Sequence, residues 1–307
     1  MFDTIVVPVD GSAFGELALP VGLGIGCKTG GEVRVVTVIT PIPFAHSPGE
    51  AELLGVAEVE GLDLARDKGK EYLAELQKRM ILSGCDVPIS CHVEVGPVTE
   101  KLVDHAQASG ADLLVLTTHG RGPLQRAWLG SVADSLLRRA PCPVLAIRPK
   151  EGERAEPRDM ELRHILVPLD GSSESREIIP LAKGLAKLFG ARMTLLRVIP
   201  PPYPVPSPYI PHAAQEFKAH EAETQAAHGA LEREAAAMAA EGLRVEVETR
   251  PGSHPAQGIL EFASEAGVGL IAMTTRGRGG VSRLVLGSVA DKVIRGGTVP
   301  VLFHRMP

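Results

Sequence analysis

Short, unbroken runs of apolar residues alternate along this chain with longer segments of helical periodicity. Many residues in these runs are β-branched, and each run is shorter than a typical helix. Such runs are typical of strands that a parallel sheet buries on both faces. The pattern therefore predicts an α/β fold with two parallel, doubly wound sheets of five strands each. The predicted strands cover residues 4–9, 32–39, 89–95, 112–118 and 143–148, and residues 163–169, 192–199, 244–250, 269–275 and 300–305.

The sequence also repeats itself. Residues 2–20 align without gaps on residues 162–180, and 7 of the 19 positions are identical. Residues 116–145 align in the same way on residues 273–302, with 16 of 30 positions identical. The distance between the copies is far longer than the repeat of a solenoid, so it indicates duplication of a whole domain.

The duplication predicts two domains, residues 1–149 and 162–307. The linker between them, residues 150–161, is charged, contains Pro and Gly and shows no apolar period. A length of 307 residues agrees with two domains that each bury a core. In both copies the longest insertion follows the second strand and contains a long helix, predicted over residues 213–240 in the second copy and ending near Ser83 in the first.

Charge and hydropathy exclude several classes of protein. The chain carries 32 Lys and Arg against 37 Asp and Glu, a formal net charge of −5, which argues against nucleic-acid binding. No apolar run approaches the roughly 18 residues that a membrane span needs. The first residues lack the features of a signal peptide. We therefore expect a soluble, cytoplasmic protein with neither a membrane nor a nucleic-acid partner.

The four cysteines, Cys27, Cys85, Cys91 and Cys142, show no CxxC spacing. Neither a disulfide framework nor a zinc ribbon is therefore predicted. We expect buried or idle thiols in a reducing compartment.

The first strand of each copy ends in Asp-Gly-Ser, with the aspartates at Asp10 and Asp170. Ligands of open α/β sheets bind at the carboxyl ends of the strands, where the strand order reverses. An aspartate there can accept hydrogen bonds from ligand hydroxyls, or it can cap the helix that follows. The sequence leaves both roles open for these aspartates, and it favours a capping role for the serine in each copy.

A second repeated feature follows the fourth strand of each copy. A glycine-rich loop with an arginine leads to a Gly-Ser pair at the start of a predicted helix. Backbone N–H groups of such a loop, with the positive end of a helix dipole, can hold a polyphosphate. The alternative is a flexible loop followed by a well-capped helix. The two copies have GRG at 120–122 with GS at 130–131, and GRG at 277–279 with GS at 287–288.

Together these residues resemble the universal stress protein family in its tandem, two-domain form. The resemblance covers nearly the whole chain and rests on the aspartate after strand one, the spacing G-x₉-G-[ST] after strand four and the Pro-Val-Leu strand that follows. ATP-binding members have the fuller motif G-x₂-G-x₉-G-[ST], and this chain has Thr117 and Thr274 in place of the first glycine. The resemblance implies two adenine-nucleotide alpha hydrolase-like domains that bind ATP, or another adenine nucleotide, with Mg²⁺.

The resemblance also implies roles for single residues. Asp10 and Asp170 would hold the ribose or adenine side, and Val38 and Val198 would meet the adenine through their backbone. No catalytic or metal-ligating residue is predicted. The residues implied to lie around the phosphates are Thr117, Gly120, Gly130, Ser131 and Val132 in the first domain, and Thr274, Gly277, Gly287, Ser288 and Val289 in the second.

The family resemblance further implies that the last strands of two such domains pair edge to edge. In this chain the pairing would join residues 143–148 to residues 300–305 in an intramolecular pseudo-dimer and cover exposed sheet edges. Association of two chains into a homodimer stays open beside it.

We predict an ATP-binding protein with a regulatory role in the stress response rather than a dedicated enzyme. No GxSxG, HExxH or kinase-type motif occurs. His119 is replaced by Arg276 in the second copy, which argues against a catalytic base. Two alternatives stay open: slow ATP hydrolysis in the same pocket, and a nucleotide-free interaction module in which Thr117 and Thr274 narrow the phosphate site.

Two further patterns are given less weight. The segment GIGCKTGG around Cys27 looks like a Walker A loop, but a cysteine stands where glycine is required, and a helix end is the better interpretation. His212, Glu216, His220 and His228 share a helix face that could bind a metal. A solvated helix face is favoured because the first copy has nothing equivalent.

Overall fold

The structure, a computed structural model, describes seven ranges of the chain. The chain divides into two units, Met1–Met160 and Glu161–Pro307, which are described separately. The predicted linker lies outside the described residues except for Glu161. The described ranges are residues 1–41, 51–82, 86–118, 129–148, 161–201, 210–275 and 286–305.

Strands and helices alternate along the first unit. Its helices connect successive strands of one sheet, as the apolar runs predict. In chain order the elements are β1 (Thr4–Pro8), α1 (Ala13–Glu16), α2 (Ala18–Thr29), β2 (Glu32–Ile39), α3 (Ala51–Ile81), β3 (Ile89–Val95), α4 (Val98–Ala108), β4 (Leu113–Thr117), α5 (Ser131–Arg139) and β5 (Val144–Ile147).

The sheet of the first unit is parallel, with the order β3-β2-β1-β4-β5. Strand β1 is central, and its residues Ile5, Val6 and Val7 are fully buried, as expected when helices cover both faces. The chain proceeds outward from β1 in one direction through β2 and β3 and in the other through β4 and β5. This reversal leaves a crevice at the carboxyl ends of β1 and β4, where ligands bind in such folds.

The second unit repeats this organisation. Its central residues, Ile165, Leu166 and Val167, are likewise fully buried. In chain order the elements are β6 (His164–Pro168), α6 (Ser173–Arg176), α7 (Ile179–Phe189), β7 (Arg192–Ile199), α8 (Ile210–Ala240), β8 (Val245–Pro251), α9 (Pro255–Glu265), β9 (Leu270–Thr274), α10 (Ser288–Gly296) and β10 (Val301–His304).

The sheet of the second unit is also parallel, with the order β8-β7-β6-β9-β10. The predicted α/β fold with doubly wound parallel sheets is therefore confirmed. Every predicted strand corresponds to an observed one, and no bound differs by more than one residue. The helix predicted over residues 213–240 runs from Ile210 to Ala240, and its counterpart in the first unit ends at Ile81. Across the described ranges, each helix is too short or too polar to cross a membrane.

The segment that resembles a Walker A loop ends helix α2, as predicted. Gly30 has a φ of 73°, and its N–H donates to the carbonyl oxygen of Gly26 at 2.8 Å. Glycine suits this left-handed helix end because it has no Cβ. The segment therefore closes a helix and lies away from the carboxyl ends of the strands.

The prediction of idle thiols is wrong for Cys27. Cys27, in α2, is disulfide-bonded. Spacing along the sequence does not show which cysteines the fold brings together, so the bond could not be inferred from the missing CxxC pattern. Cys91 and Cys142 are free thiols, and burial raises the pKa of both, that of Cys142 to about 12.

Candidate functional site

A cavity of about 890 Å³ opens at the carboxyl ends of β1, β2 and β4 in the first unit. It lies at the reversal of strand order, and helices α3, α4 and α5 border it. Its lining comprises Pro8, Val9, Asp10, Gly11 and Gly15 at the end of β1, Val36, Thr37, Val38, Ile39 and Thr40 of β2 and its end, Ala65, Lys68, Gly69 and Tyr72 of α3, Val98 and Leu102 of α4, and Leu116, Thr117, Thr118, Gly130, Ser131, Val132, Ala133 and Leu136 from β4 to α5.

Asp10 is held in this cavity by the turn that follows β1. Its Oδ1 accepts hydrogen bonds from the backbone N–H of Ser12 at 3.0 Å and from the Ser12 hydroxyl at 2.6 Å. The Ser12 oxygen in turn accepts the N–H of Gly15 at 3.0 Å and caps helix α1. The serine therefore caps the helix, and the aspartate is oriented by the serine.

Gly15 gives the Asp10 carboxylate its room. A Cβ at position 15 would lie 3.3 Å from the carboxylate carbon of Asp10 and closer still to its Oδ1. A side chain added here requires a shift of the carboxylate or of the helix start. Gly15 thus leaves room beside the Asp10 carboxylate.

Helix α5 begins at the cavity with a glycine as its N-cap. Gly130 supplies no side-chain cap, and its N–H donates to the carbonyl oxygen of Thr118 at 2.8 Å. The first amides of an α-helix, here those of Ser131 and Val132, have no partner within the helix. With the positive end of the helix dipole they form a place for an anion. The N–H of Gly130 is therefore used within the fold, and its lack of a side chain leaves the space at the start of α5 open.

Val38 and Thr117 complete the predicted set in the first unit. Val38 lies in β2 opposite Glu94 of β3, and Thr117 is the last residue of β4. Both are half-buried and line the cavity. Gly120 lies outside the described residues.

Helix α3 adds two residues that the sequence analysis missed, Lys68 and Tyr72. Lys68 is exposed and brings a positive charge to the cavity wall. The Tyr72 hydroxyl donates to Glu16 Oε1 at 3.0 Å. The two positions are four residues apart and share one helix face, so a helical reading of residues 51–81 could have paired them. It could not have shown that this face meets the cavity.

The second unit builds the same turn after β6. The backbone N–H of Ser172 donates to Asp170 Oδ1 at 2.9 Å, and the Ser172 hydroxyl also donates to this oxygen. Ser172 caps α6 by accepting the N–H of Ser175 at 3.1 Å. Helix α10 likewise begins after a glycine N-cap, and the N–H of Gly287 donates to Thr275 O at 2.7 Å.

The structure brings most of the predicted residues to the expected places. In the second unit these lie at the ends of β6, β7 and β9 and at the start of α10. Gly277, His119 and the arginines of both loops, like Gly120, lie outside the described residues. The residues gathered around the cavity of the first unit are Asp10, Val38, Thr117, Gly130, Ser131 and Val132. Their counterparts are Asp170, Val198, Thr274, Gly287, Ser288 and Val289.

The histidine-bearing face of α8 lies partly within the part of the chain that the structure describes, where the side chains of His220 and His228 are placed. There, no group of three or more His, Cys, Asp or Glu side chains is placed to hold a metal ion. His228 lies 3.5 Å from both Thr249 Oγ1 and Glu232 Oε1, through its two ring nitrogens. The side chains of His212 and Glu216 fall outside the description.

Comparison with curated proteins finds relatives along the whole chain. A universal stress protein of Methanocaldococcus jannaschii is 30% identical over 155 residues, which cover 50% of this chain and 86% of that protein. Universal stress proteins of Mycobacterium tuberculosis and Mycobacterium bovis are 27% identical over 311 residues, covering 98% of this chain and 96% of theirs.

Solved structures show the same fold. A universal stress protein from Archaeoglobus fulgidus matches with a TM-score of 0.70 at 20% identity, covering 99% of both chains. A second from Pseudomonas aeruginosa matches with a TM-score of 0.62 at 19% identity, covering 98% of this chain and 92% of that one. A model of the Universal stress protein family matches twice, over residues 1–148 and 161–305. Since these two matches span nearly all of the sequence, the chain belongs to the universal stress protein family.

Proposed function

We propose that the first unit binds an adenine nucleotide, ATP with Mg²⁺, in its cavity, and that the chain is a regulatory protein of the stress response rather than a dedicated catalyst. The observation that carries the proposal is the convergence of Asp10, Val38 and the start of α5 on one cavity. The motif of ATP-binding family members supports it, since the sequence departs from that motif in the first unit only at Thr117.

The cavity suits a nucleotide in size and in lining. Its volume of about 890 Å³ lies within the range of roughly 300–1,000 Å³ that is usual for small-molecule sites. Apolar side chains such as Val38, Val98 and Leu102 line part of it, and a planar base requires such a surface. Polar groups line it as well, among them the Asp10 carboxylate and the residues at the start of α5.

The phosphates would lie at the start of helix α5. The amides of Ser131 and Val132 and the helix dipole favour an anion there, and the Lys68 ammonium adds a positive charge at the cavity wall. Mg²⁺ would be held by phosphate oxygens and water, and we assign it no protein ligand.

Asp10 would accept a hydrogen bond from a ribose hydroxyl. A carboxylate has several acceptor sites, and the two bonds from Ser12 fix the orientation in which it meets a ligand. Removal of the carboxylate should therefore weaken nucleoside binding as well as ATP binding.

Calorimetric titration of the full chain with Mg-ATP tests the proposal. We expect saturable binding at micromolar to low millimolar concentrations, weakened about tenfold by Asp10→Ala because one good hydrogen bond to a charged group is lost. Gly130→Val should abolish binding because its side chain stands at the start of α5, while a φ of −59° tolerates valine.

Gly61→Val serves as the matched control, since a Cβ at this exposed glycine of α3 meets nothing within 4 Å. It should keep the native affinity. An absence of binding heat in the native chain, or native affinity in Gly130→Val, would contradict the proposal. Release of phosphate above buffer that disappears in Asp10→Ala would instead favour slow ATP hydrolysis at this cavity.

Thr117 favours a second candidate, a nucleotide-free interaction module. Its side chain adds bulk where ATP-binding members of the family have glycine. A mass spectrum of the gently purified protein separates the two candidates, because a co-purified adenine nucleotide would exclude the module.

The assembly is a further part of the proposal. The family resemblance implies that residues 143–148 pair with residues 300–305, and a homodimer of two chains stays open beside this pairing. Sedimentation velocity measures the mass in solution, and a mass of one chain at micromolar concentration would contradict the homodimer.

A further inference from the structure

The candidate sites of the two units can be compared position by position through their strands. Strand β7 pairs with β6 in the same register in which β2 pairs with β1. Thr37 and Arg197 each lie two residues before the end of their strand, so they are equivalent. An uncharged residue of the first site is thus a cation in the second.

The side chain of Arg197 reaches across the second site. Its guanidinium lies against Gly171, the equivalent of Gly11: a Cβ on Gly171 would be 3.2 Å from the Arg197 Cζ and 3.3 Å from its Nη2. In the first unit Thr37 and Gly11 both line the cavity. The guanidinium therefore spans a part of the second site that corresponds to open cavity in the first.

Other positions around the second site are also larger than in the first. Three residues that line the cavity of the first unit have bulkier equivalents, and all three equivalents are buried. Because protein interiors are close-packed, a larger side chain occupies space that a smaller one leaves open. At these three positions that space belongs to the site. The exchanges are Val9 to Leu169, Gly15 to Ser175 and Val36 to Leu196.

The charge of Arg197 adds to this steric effect. An arginine side chain stays protonated in proteins, and this one is half-buried beside the turn that carries Asp170. A nucleotide that uses Asp170 as proposed for Asp10 has to move a half-buried guanidinium from that place. The first unit imposes no such displacement, because Thr37 is short and uncharged.

We infer that Arg197 closes the site of the second unit to nucleotide, and that the chain binds one nucleotide, in the first unit. The inference rests on the proposed function, because it assumes that the open cavity is the nucleotide site. It assigns Thr37 and Arg197 as the residues that distinguish the two sites.

The number of sites, measured by calorimetric titration of the full chain with Mg-ATP, tests the inference. We expect one nucleotide for each native chain. Arg197→Thr, which gives the second unit the residue of the first, should bind two, and Thr37→Arg, the reverse exchange, should bind none. Arg197→Ala provides a second opening variant if the first does not fold.

Arg192→Thr is the matched control. Arg192 lies at the start of the same strand, where it pairs with Glu246 at 3.1 Å, and its loss should leave one site. Two sites in the native chain, or one site in both opening variants, would overturn the role of Arg197. If neither the native chain nor the opening variants bind Mg-ATP, the proposed function is wrong, and so is the inference that rests on it. If only the opening variants bind, the role of Arg197 stands and the proposed site in the first unit is wrong.

Discussion

Tyr72 of helix α3 donates its phenolic hydrogen bond to Glu16 Oε1 at 3.0 Å and so joins α3 to α1 at the wall of the cavity. The other oxygen of Glu16 pairs with Arg79 Nη2 at 2.9 Å. Burial, assisted by the Glu16 carboxylate, raises the pKa of Tyr72 above its usual value. The phenol therefore stays protonated, and it stays a donor at every pH at which the protein is used.

Tyr72→Phe should lower the free energy of unfolding by about 1 kcal/mol, since it removes one hydrogen bond and keeps the ring. Urea denaturation measures the change. Glu16→Gln is the comparison variant, because the amide oxygen can still accept from Tyr72 while the amide nitrogen cannot accept from Arg79, so only the partly exposed pair with Arg79 is lost. A loss in Glu16→Gln as large as that in Tyr72→Phe would contradict the assigned role of the phenol.

Lys68→Ala should weaken ATP binding by up to about fivefold, as expected for an exposed charge near an anion. Binding of adenosine, which has no phosphates, should change less. The substitution should therefore reduce the affinity for ATP more than the affinity for adenosine. This difference in affinity loss should shrink as salt is raised, because mobile ions screen exposed charges. Calorimetric titration at two salt concentrations gives both comparisons.

Lys70→Ala is the matched control for Lys68. Lys70 lies two residues further along α3, is also exposed and pairs with Asp67 at 3.1 Å outside the cavity lining. We expect native affinity from it. Equal losses in the two lysine variants would show a general effect of net charge instead of a local contact.

His164 predicts a dependence of stability on pH. This residue is 2% exposed. Its Nδ1 lies 3.3 Å from the carbonyl oxygen of Ala266, and its Nε2 lies 2.8 Å from Thr194 Oγ1. Burial, with a contribution from the positive charge of Arg192, lowers its pKa below the ordinary 6.5. Below about pH 6.5 the unfolded chain therefore binds a proton that the folded chain does not, and stability falls as the pH decreases toward the lowered pKa.

Thr4 of the first unit is the equivalent of His164. His164→Thr introduces this residue into the second unit and should remove this part of the pH dependence. The free energy of unfolding at pH 7.5 and pH 5.5 measures it, and because pH 5.5 lies one unit below the ordinary pKa of 6.5, His164 can account for a loss of at most about 1.4 kcal/mol over this range. His254→Thr, at an exposed histidine, should keep the native slope. An unchanged slope in His164→Thr would exclude His164 as its source.

The sequence predicted the strands closely because burial on both faces requires an unbroken apolar run. Residues 32–39 and 192–199 show this, since both predicted bounds are the observed ones. The end of α2 was predictable for a related reason, since Gly30 is one of the few residues that suit a left-handed helix end.

Features that depend on proximity between distant segments were not predictable. Lys68 and Tyr72 reach the cavity only because α3 packs beside β2 and β3, and the bond of Cys27 depends on proximity in the same way. Arg197 is visible in the sequence as an exchange for Thr37, yet only the fold places its guanidinium at Gly171. Gly130 was identified by its spacing, but the structure shows its N–H committed to Thr118.

The hydrogen bond from Gly130 to Thr118 has a consequence for the length of the chain between β4 and α5. It ties the end of β4 to the start of α5, and the bond from Gly287 to Thr275 ties β9 to α10 in the same way. The chain between the bonded residues is thus fixed at both of its ends, and doubling the length of a closed loop costs only about 0.6 kcal/mol in chain entropy. Insertions or deletions between these bonded residues should therefore change the stability of the sheet and the helix little.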